Sequence, residues 1–86
     1  MEERTVTIKD KIGLHARTSS LFSKKAMMFA SEVKIIFGNK EANGKSMLAI
    51  MSLGVKHGME IKIKVHGEDE QKTAELLAEF VENNFE

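Results

Sequence analysis

Met59-Glu60-Ile61-Lys62-Ile63-Lys64-Val65-His66 alternates apolar and polar residues without a break. Successive side chains of a strand point to opposite faces, so Met59, Ile61, Ile63 and Val65 address a core while Glu60, Lys62, Lys64 and His66 address water. A sheet with one wet face is expected to be antiparallel, with its helices packed on the other face. Upstream, Arg4-Thr5-Val6-Thr7-Ile8 alternates in the same way, and Val33 to Phe37 reads as a further strand. Gly38-Asn39-Lys40 is turn chemistry, Glu41-Ala42 a short return strand, and Asn43-Gly44-Lys45 another break. Between the strands the period changes. From Ala16 to about Ala30 apolar residues recur at three and four, with Phe22, Ala26, Phe29 and Ala30 on one face and Leu21, Lys25 and Met28 beside it. Ser46 and Gly54 bracket Met47 to Leu53 as cap signals of a short helix. His57-Gly58 is a turn, and Gly67 ends the alternating strand. Glu68-Asp69-Glu70 places acid at the start of a last helix, where the dipole favours it; Ala74, Leu77, Ala78, Val81 and Phe85 form its core stripe, flanked by Leu76 and Phe80. The order is β-α-β-β-α-β-α, an α+β arrangement in one domain spanning residues 1–86.

The bulk numbers narrow the function. Thirteen basic and thirteen acidic side chains cancel, which argues against general nucleic-acid affinity. Without cysteine there is no disulfide, thiol chemistry or Cys-based zinc site, so packing alone must hold this short chain. His57 and His66 show no metal-ligand spacing with His15 and are expected to be exposed and inert; neither metal nor cofactor is expected. No apolar run approaches the ~20 residues that cross a bilayer, and Met1 to Thr5 lacks a signal-peptide layout, so a soluble cytoplasmic domain with no membrane partner is expected.

The chemistry concentrates in Ile12-Gly13-Leu14-His15-Ala16-Arg17-Thr18-Ser19-Ser20, which puts a histidine after a glycine hinge and directly before the first helix. Neutral imidazole is a nucleophile near neutral pH. The first N–H groups of a helix lack carbonyl partners and the dipole end is partly positive, which suits a phosphoryl oxygen. Arg17, in the first turn, can add a charge-assisted fork to the same oxygens. On this physics His15 marks an anion site or a phosphoryl carrier, beside the plainer reading of a cap or surface residue.

Gly13-Leu14-His15-Ala16-Arg17 resembles the active-site signature of the HPr family, the histidine-containing phosphocarriers of the phosphoenolpyruvate-dependent sugar phosphotransferase system. Asn43-Gly44-Lys45-Ser46-Met47-Leu48-Ala49-Ile50-Met51-Ser52-Leu53-Gly54 looks like the family's second signature, which holds a regulatory serine, and Gly67-Glu68-Asp69-Glu70 resembles the lead into its last helix. The spacing from His15 to Ser46 also matches, and the likeness covers essentially the whole chain. It implies an open-faced β-sandwich, a four-stranded antiparallel sheet with three helices on one face. It further implies that His15 accepts a phosphoryl group on Nδ1 from phospho-enzyme I, with Arg17 assisting. Enzyme IIA domains of sugar transporters then receive it, and the chain is a monomeric shuttle rather than an enzyme with its own turnover. Ser46 reads as a helix cap from its position; the resemblance adds phosphorylation by a dedicated kinase (HPr kinase/phosphorylase) and binding to a catabolite repressor.

Met47, Leu48 and Met51, together with Ser20, Leu21 and Lys24 on the first helix, are the expected partner surface, with Lys24, Lys25 and Lys45 as a basic rim. At least one of Met47, Leu48 and Met51 is expected in the core. The chain departs from the family at Thr18, where proline usually follows the arginine; Thr18 gives up first-turn stiffness and brings an N–H and a hydroxyl near the phosphate site, which predicts a change in efficiency or partner choice. Gly44 and Ala49 also differ from the commonest family residues, but both are small. The competing readings are a regulatory paralogue acting through Ser46, disfavoured by the presence of His15; a nitrogen-branch phosphocarrier; and a small RNA-binding sheet domain, disfavoured by a strand face of Glu60, Lys62, Lys64 and His66 without exposed aromatics.

Overall fold

A computed structural model describes all residues 1–86. Seven elements follow in order: β1 (Glu2–Thr7), α1 (Ala16–Ala26), β2 (Glu32–Phe37), β3 (Lys40–Asn43), α2 (Met47–Met51), β4 (Glu60–His66) and α3 (Glu70–Glu82). The four strands form one antiparallel sheet in the spatial order β1-β4-β2-β3. The expected arrangement holds, with the three helices covering one face of an open-faced sandwich.

The alternating stretch that predicted the sheet supplies one of its two inner strands. β4 pairs with β1, setting Val6 opposite Ile61, and with β2, setting Val33 opposite Val65 and Ile35 opposite Ile63. Ile61, Ile63 and Val65 are buried among Val6, Val33 and Ile35, where burial of each side chain contributes about 1.5–3 kcal/mol. On the open face Lys62 reaches Glu3 and Lys34 reaches Glu41, each at 3.5 Å. From α1 come Phe22 and Ala26; from α2, Ile50; from α3, Ala74, Leu77, Ala78 and Val81. The last stripe was readable in full, and Phe85 is buried too, one turn past the helix.

Several boundaries differ from expectation. α1 ends at Ala26 rather than Ala30, and Met28 and Ala30 are exposed. The amides of Ala30 and Ser31 donate instead to the Asp69 carboxylate, which also accepts from the Ser31 hydroxyl, while Lys45 Nζ donates to the Phe29 carbonyl at 2.8 Å. These distant anchors take over the backbone groups that continued helix would use. Asp69 therefore spends its carboxylate on another loop rather than on the first turn of α3, which it precedes. Met59 lies outside β4 and is 39% exposed, its Sδ accepting from the Lys56 amide. β1 begins two residues early and stops before Ile8, which is nonetheless fully buried.

That stop matters for the site. Past β1 the chain stays stitched to the segment entering β4: Ile8 donates to the Met59 carbonyl at 2.9 Å, Gly58 donates to Ile8 at 2.8 Å, and Leu14 donates to Val55 at 3.0 Å. The loop that carries the histidine is thus fixed at both ends by backbone bonds.

Candidate functional site

The site is built where the 8–14 loop enters α1. Gly13 is buried with φ +107°, and a Cβ there would lie 2.5 Å from the Lys56 Cα and the Val55 carbonyl. Only glycine allows this approach, and it delivers the next residues to the start of α1. His15 is the N-cap, in extended conformation, with 28% of its side chain exposed. Its carbonyl accepts the first helical bond, from Ser19 at 2.9 Å, and the amides of Ala16, Arg17 and Thr18 donate to no carbonyl. The expected juxtaposition of imidazole and free helix amides is present. The ring is turned toward the Thr18 amide, short of a full hydrogen bond to it.

Asp10 completes the cluster, and sequence reasoning passed over it as part of a loop. Its Oδ2 accepts from the amides of Ile12 at 3.0 Å and Gly13 at 3.2 Å and meets His15 Nε2 at 3.1 Å; its Oδ1 accepts from Arg17 Nη2 at 2.8 Å. Burial on its own raises this carboxyl, but the Ile12 and Gly13 amides, then Arg17 and His15, outweigh it and hold it below the usual carboxylate range. Nδ1 is therefore the ring nitrogen left without a full hydrogen bond. A signal was available: an Asp whose side chain caps the amide two residues on, with Gly at the third, is the local chemistry of an Asx turn.

Three expectations need correction in detail. Arg17 lies in the first turn, as read, but one arm of its guanidinium is already on Asp10 rather than free to fork onto an anion. Thr18 is fully buried, and its hydroxyl turns inward, donating to the Gly13 carbonyl at 2.7 Å and accepting from the His15 amide at 3.1 Å. It ties the loop to the helix and does not offer its hydroxyl to the site. His57 is exposed but not idle, because its Nδ1 donates to the Asp10 carbonyl at 3.1 Å. His66 lies exposed with Nδ1 3.8 Å from Glu70.

Ser46 caps α2, its Oγ accepting from the Ala49 amide at 3.3 Å, and is half-buried. α2 packs beside α1. None of Met47, Leu48 and Met51 enters the core, which takes Ile50 instead: Leu48 is 73% exposed, Met47 37%, and Met51 is half-buried. Ser20 and Leu21 are half-buried and Lys24 is exposed. Ile12, in the histidine loop, is a further exposed apolar residue that the sequence reading did not single out.

Comparison with known proteins agrees with this picture. A family model described as the PTS HPr component phosphorylation site matches residues 2–83. The HPr-like protein Crh of Halalkalibacterium halodurans is 40% identical over 82 residues, covering 95% of this chain and 98% of that protein. Phosphocarrier protein HPr of Mycoplasma genitalium is 36% identical over 85 residues, covering 98% and 97%. Among solved structures, HPr from Thermoanaerobacter tengcongensis superposes with a TM-score of 0.94 at 41% identity, covering 99% of this chain and 96% of that one. Crh from Bacillus subtilis, described as a domain-swapped dimer, superposes at 0.79 with 38% identity, covering 96% and 95%.

Proposed function

The chain belongs to the HPr family, and from that membership we infer that it is a phosphocarrier of the sugar phosphotransferase system, with His15 Nδ1 as the atom that bears the phosphoryl group. The observation that supports this most is the placement of a partly exposed imidazole over the amides of Ala16, Arg17 and Thr18, which donate to no carbonyl, with Nδ1 making no full hydrogen bond. Those amides and the positive helix end take up the charge of a PO₃ group without any rearrangement of the fold. Arg17, 55% exposed, reaches the same space by letting go of Asp10. The donor is phospho-enzyme I, charged by phosphoenolpyruvate, and the acceptors are enzyme IIA domains of sugar transporters. The chain works in the cytoplasm as a monomer, and exposed Leu48 and Met47, with Ser20, Leu21, Lys24 and Met51, form its partner surface. Phosphorylation of Ser46 by an HPr kinase/phosphorylase, followed by binding to a catabolite repressor, is the regulatory branch.

The assignment is tested with phosphoenolpyruvate, enzyme I and a purified enzyme IIA domain. The expected result is an acid-labile, base-stable phosphate on the chain, passed on to enzyme IIA and absent in His15→Ala. Equal uptake by His15→Ala removes His15 from the role. The similarity to Crh favours a second reading, a regulatory paralogue that works through the serine alone. It predicts phosphorylation by the kinase together with no uptake from enzyme I.

A further inference from the structure

We propose that Asp10 is a positioning residue for phosphoryl transfer, holding the His15 ring in its Nε2–H form and balancing the charge the ring gains when Nδ1 bonds phosphorus. This rests on the phosphocarrier reading of His15. The geometry is specific. An ionised carboxylate only accepts hydrogen bonds, so the 3.1 Å contact between Asp10 Oδ2 and His15 Nε2 requires the proton on Nε2 and leaves the lone pair on Nδ1. Asp10 cannot drift from this position, because the amides of Ile12 and Gly13 hold the same oxygen and the His57 ring holds its carbonyl. Its side chain is only 10% exposed, which strengthens the pairing relative to water.

The transfer then needs no proton movement on this chain. The Nδ1 lone pair forms the new N–P bond as the bond from phosphorus to its carrier group on phospho-enzyme I breaks, and that bonding pair stays with the donor. The ring keeps its Nε2 proton and becomes an imidazolium bearing PO₃, and the Asp10 carboxylate faces its positive edge. The same logic operates where a buried aspartate fixes the tautomer of a catalytic histidine. Oδ1 meanwhile holds Arg17 until the arriving oxygens compete for it.

The test pairs ring ¹⁵N NMR of the unphosphorylated protein with single-turnover transfer from phospho-enzyme I. The wild type is expected to show His15 predominantly in the Nε2–H tautomer at a pH where it is neutral. Asp10→Ala should bring a mixture of tautomers and slow transfer by about 10-fold or more, the range seen when an orienting partner is lost. Asp10→Asn keeps an acceptor for the ring and the two amides but loses the charge. It should retain the tautomer and slow transfer by a smaller factor, and it decides the matter if Asp10→Ala does not fold. An unchanged tautomer balance in Asp10→Ala, or a rate within twofold of wild type in Asp10→Asn, overturns the proposal. Failure of the wild type itself to accept phosphate would instead sink the phosphocarrier reading, and the NMR arm would still report on Asp10.

Discussion

His15 caps α1 and Arg17 lies in its first turn, as the glycine hinge and the helical period after it predict, whereas the role given to them comes from the family signature, since a histidine at a helix start is more often a plain cap. Asp10 was legible only as an Asx turn, with Gly13 three residues on; nothing in Lys9-Asp10-Lys11 says that the carboxylate folds back under the ring. That fact depends on the path through Gly13 and on the bond between Leu14 and Val55, which are tertiary. Arg17→Ala removes the one charge-assisted bond on Asp10 Oδ1 and the cation nearest the incoming group. It should slow phosphoryl transfer by about 10- to 100-fold, the equivalent of about 1.5–3 kcal/mol for such a bond, while the urea midpoint stays close to wild type. An unchanged rate would remove Arg17 from the site. Thr18→Val keeps the volume and deletes the hydroxyl that joins Gly13 to His15. A loss of about 1 kcal/mol in chemical denaturation is expected, with transfer slowed because the N-cap loosens. Stability equal to wild type would mean that the hydroxyl ties nothing.

At the scale of elements, period carried most of the information. The strict alternation of β4 and the three-four spacing of α3 each specify a face, and both faces are buried as read except at Met59, which lies before the strand and is exposed. The end of α1 was not readable, because no glycine or proline marks it and the stop is imposed from a distance by Asp69 and Lys45. The short α2 was readable from its Ser46 cap, but it ends at Met51 with Ser52 as its C-cap rather than at Gly54, and its exposure was misjudged: with five residues it turns one large side chain, Ile50, inward and leaves Leu48 out. Ser46→Ala should cost α2 its cap, about 1 kcal/mol by urea unfolding. Ser46→Asp should keep the fold, since an acid suits a helix start, and should lower acceptance from enzyme I if the added negative charge repels an acidic partner. Loss of folding in Ser46→Asp would show that the serine is held by more than its cap.

For the whole molecule, the anchor between the segment after α1 and the start of α3 is Asp69. The Ser31 hydroxyl above all, with the amides of Ala30 and Ser31, brings its carboxyl down to about 2 against a partial burial that raises it. The folded value lies below the ordinary 3.8, so its stabilising contribution is complete above about pH 4 and is lost as pH falls toward 2. Urea midpoints of wild type and Asp69→Asn should therefore differ at neutral pH and converge across that window; a gap that stays constant down to pH 2 would contradict the anchor. The β-α-β-β-α-β-α order could be read from the changes of hydrophobic period, and the one-sided helix layer from one wet sheet face. Which loops touch which could not, since those contacts join residues some forty positions apart. In the proposed transfer one ring nitrogen, Nδ1 of His15, receives the phosphoryl group. Charging ring-¹⁵N-labelled protein with phosphoenolpyruvate and enzyme I and recording its ¹⁵N–³¹P coupling tests this directly. Coupling to Nδ1 of His15 is the expected result, and coupling to Nε2, or to no nitrogen of His15, would contradict it.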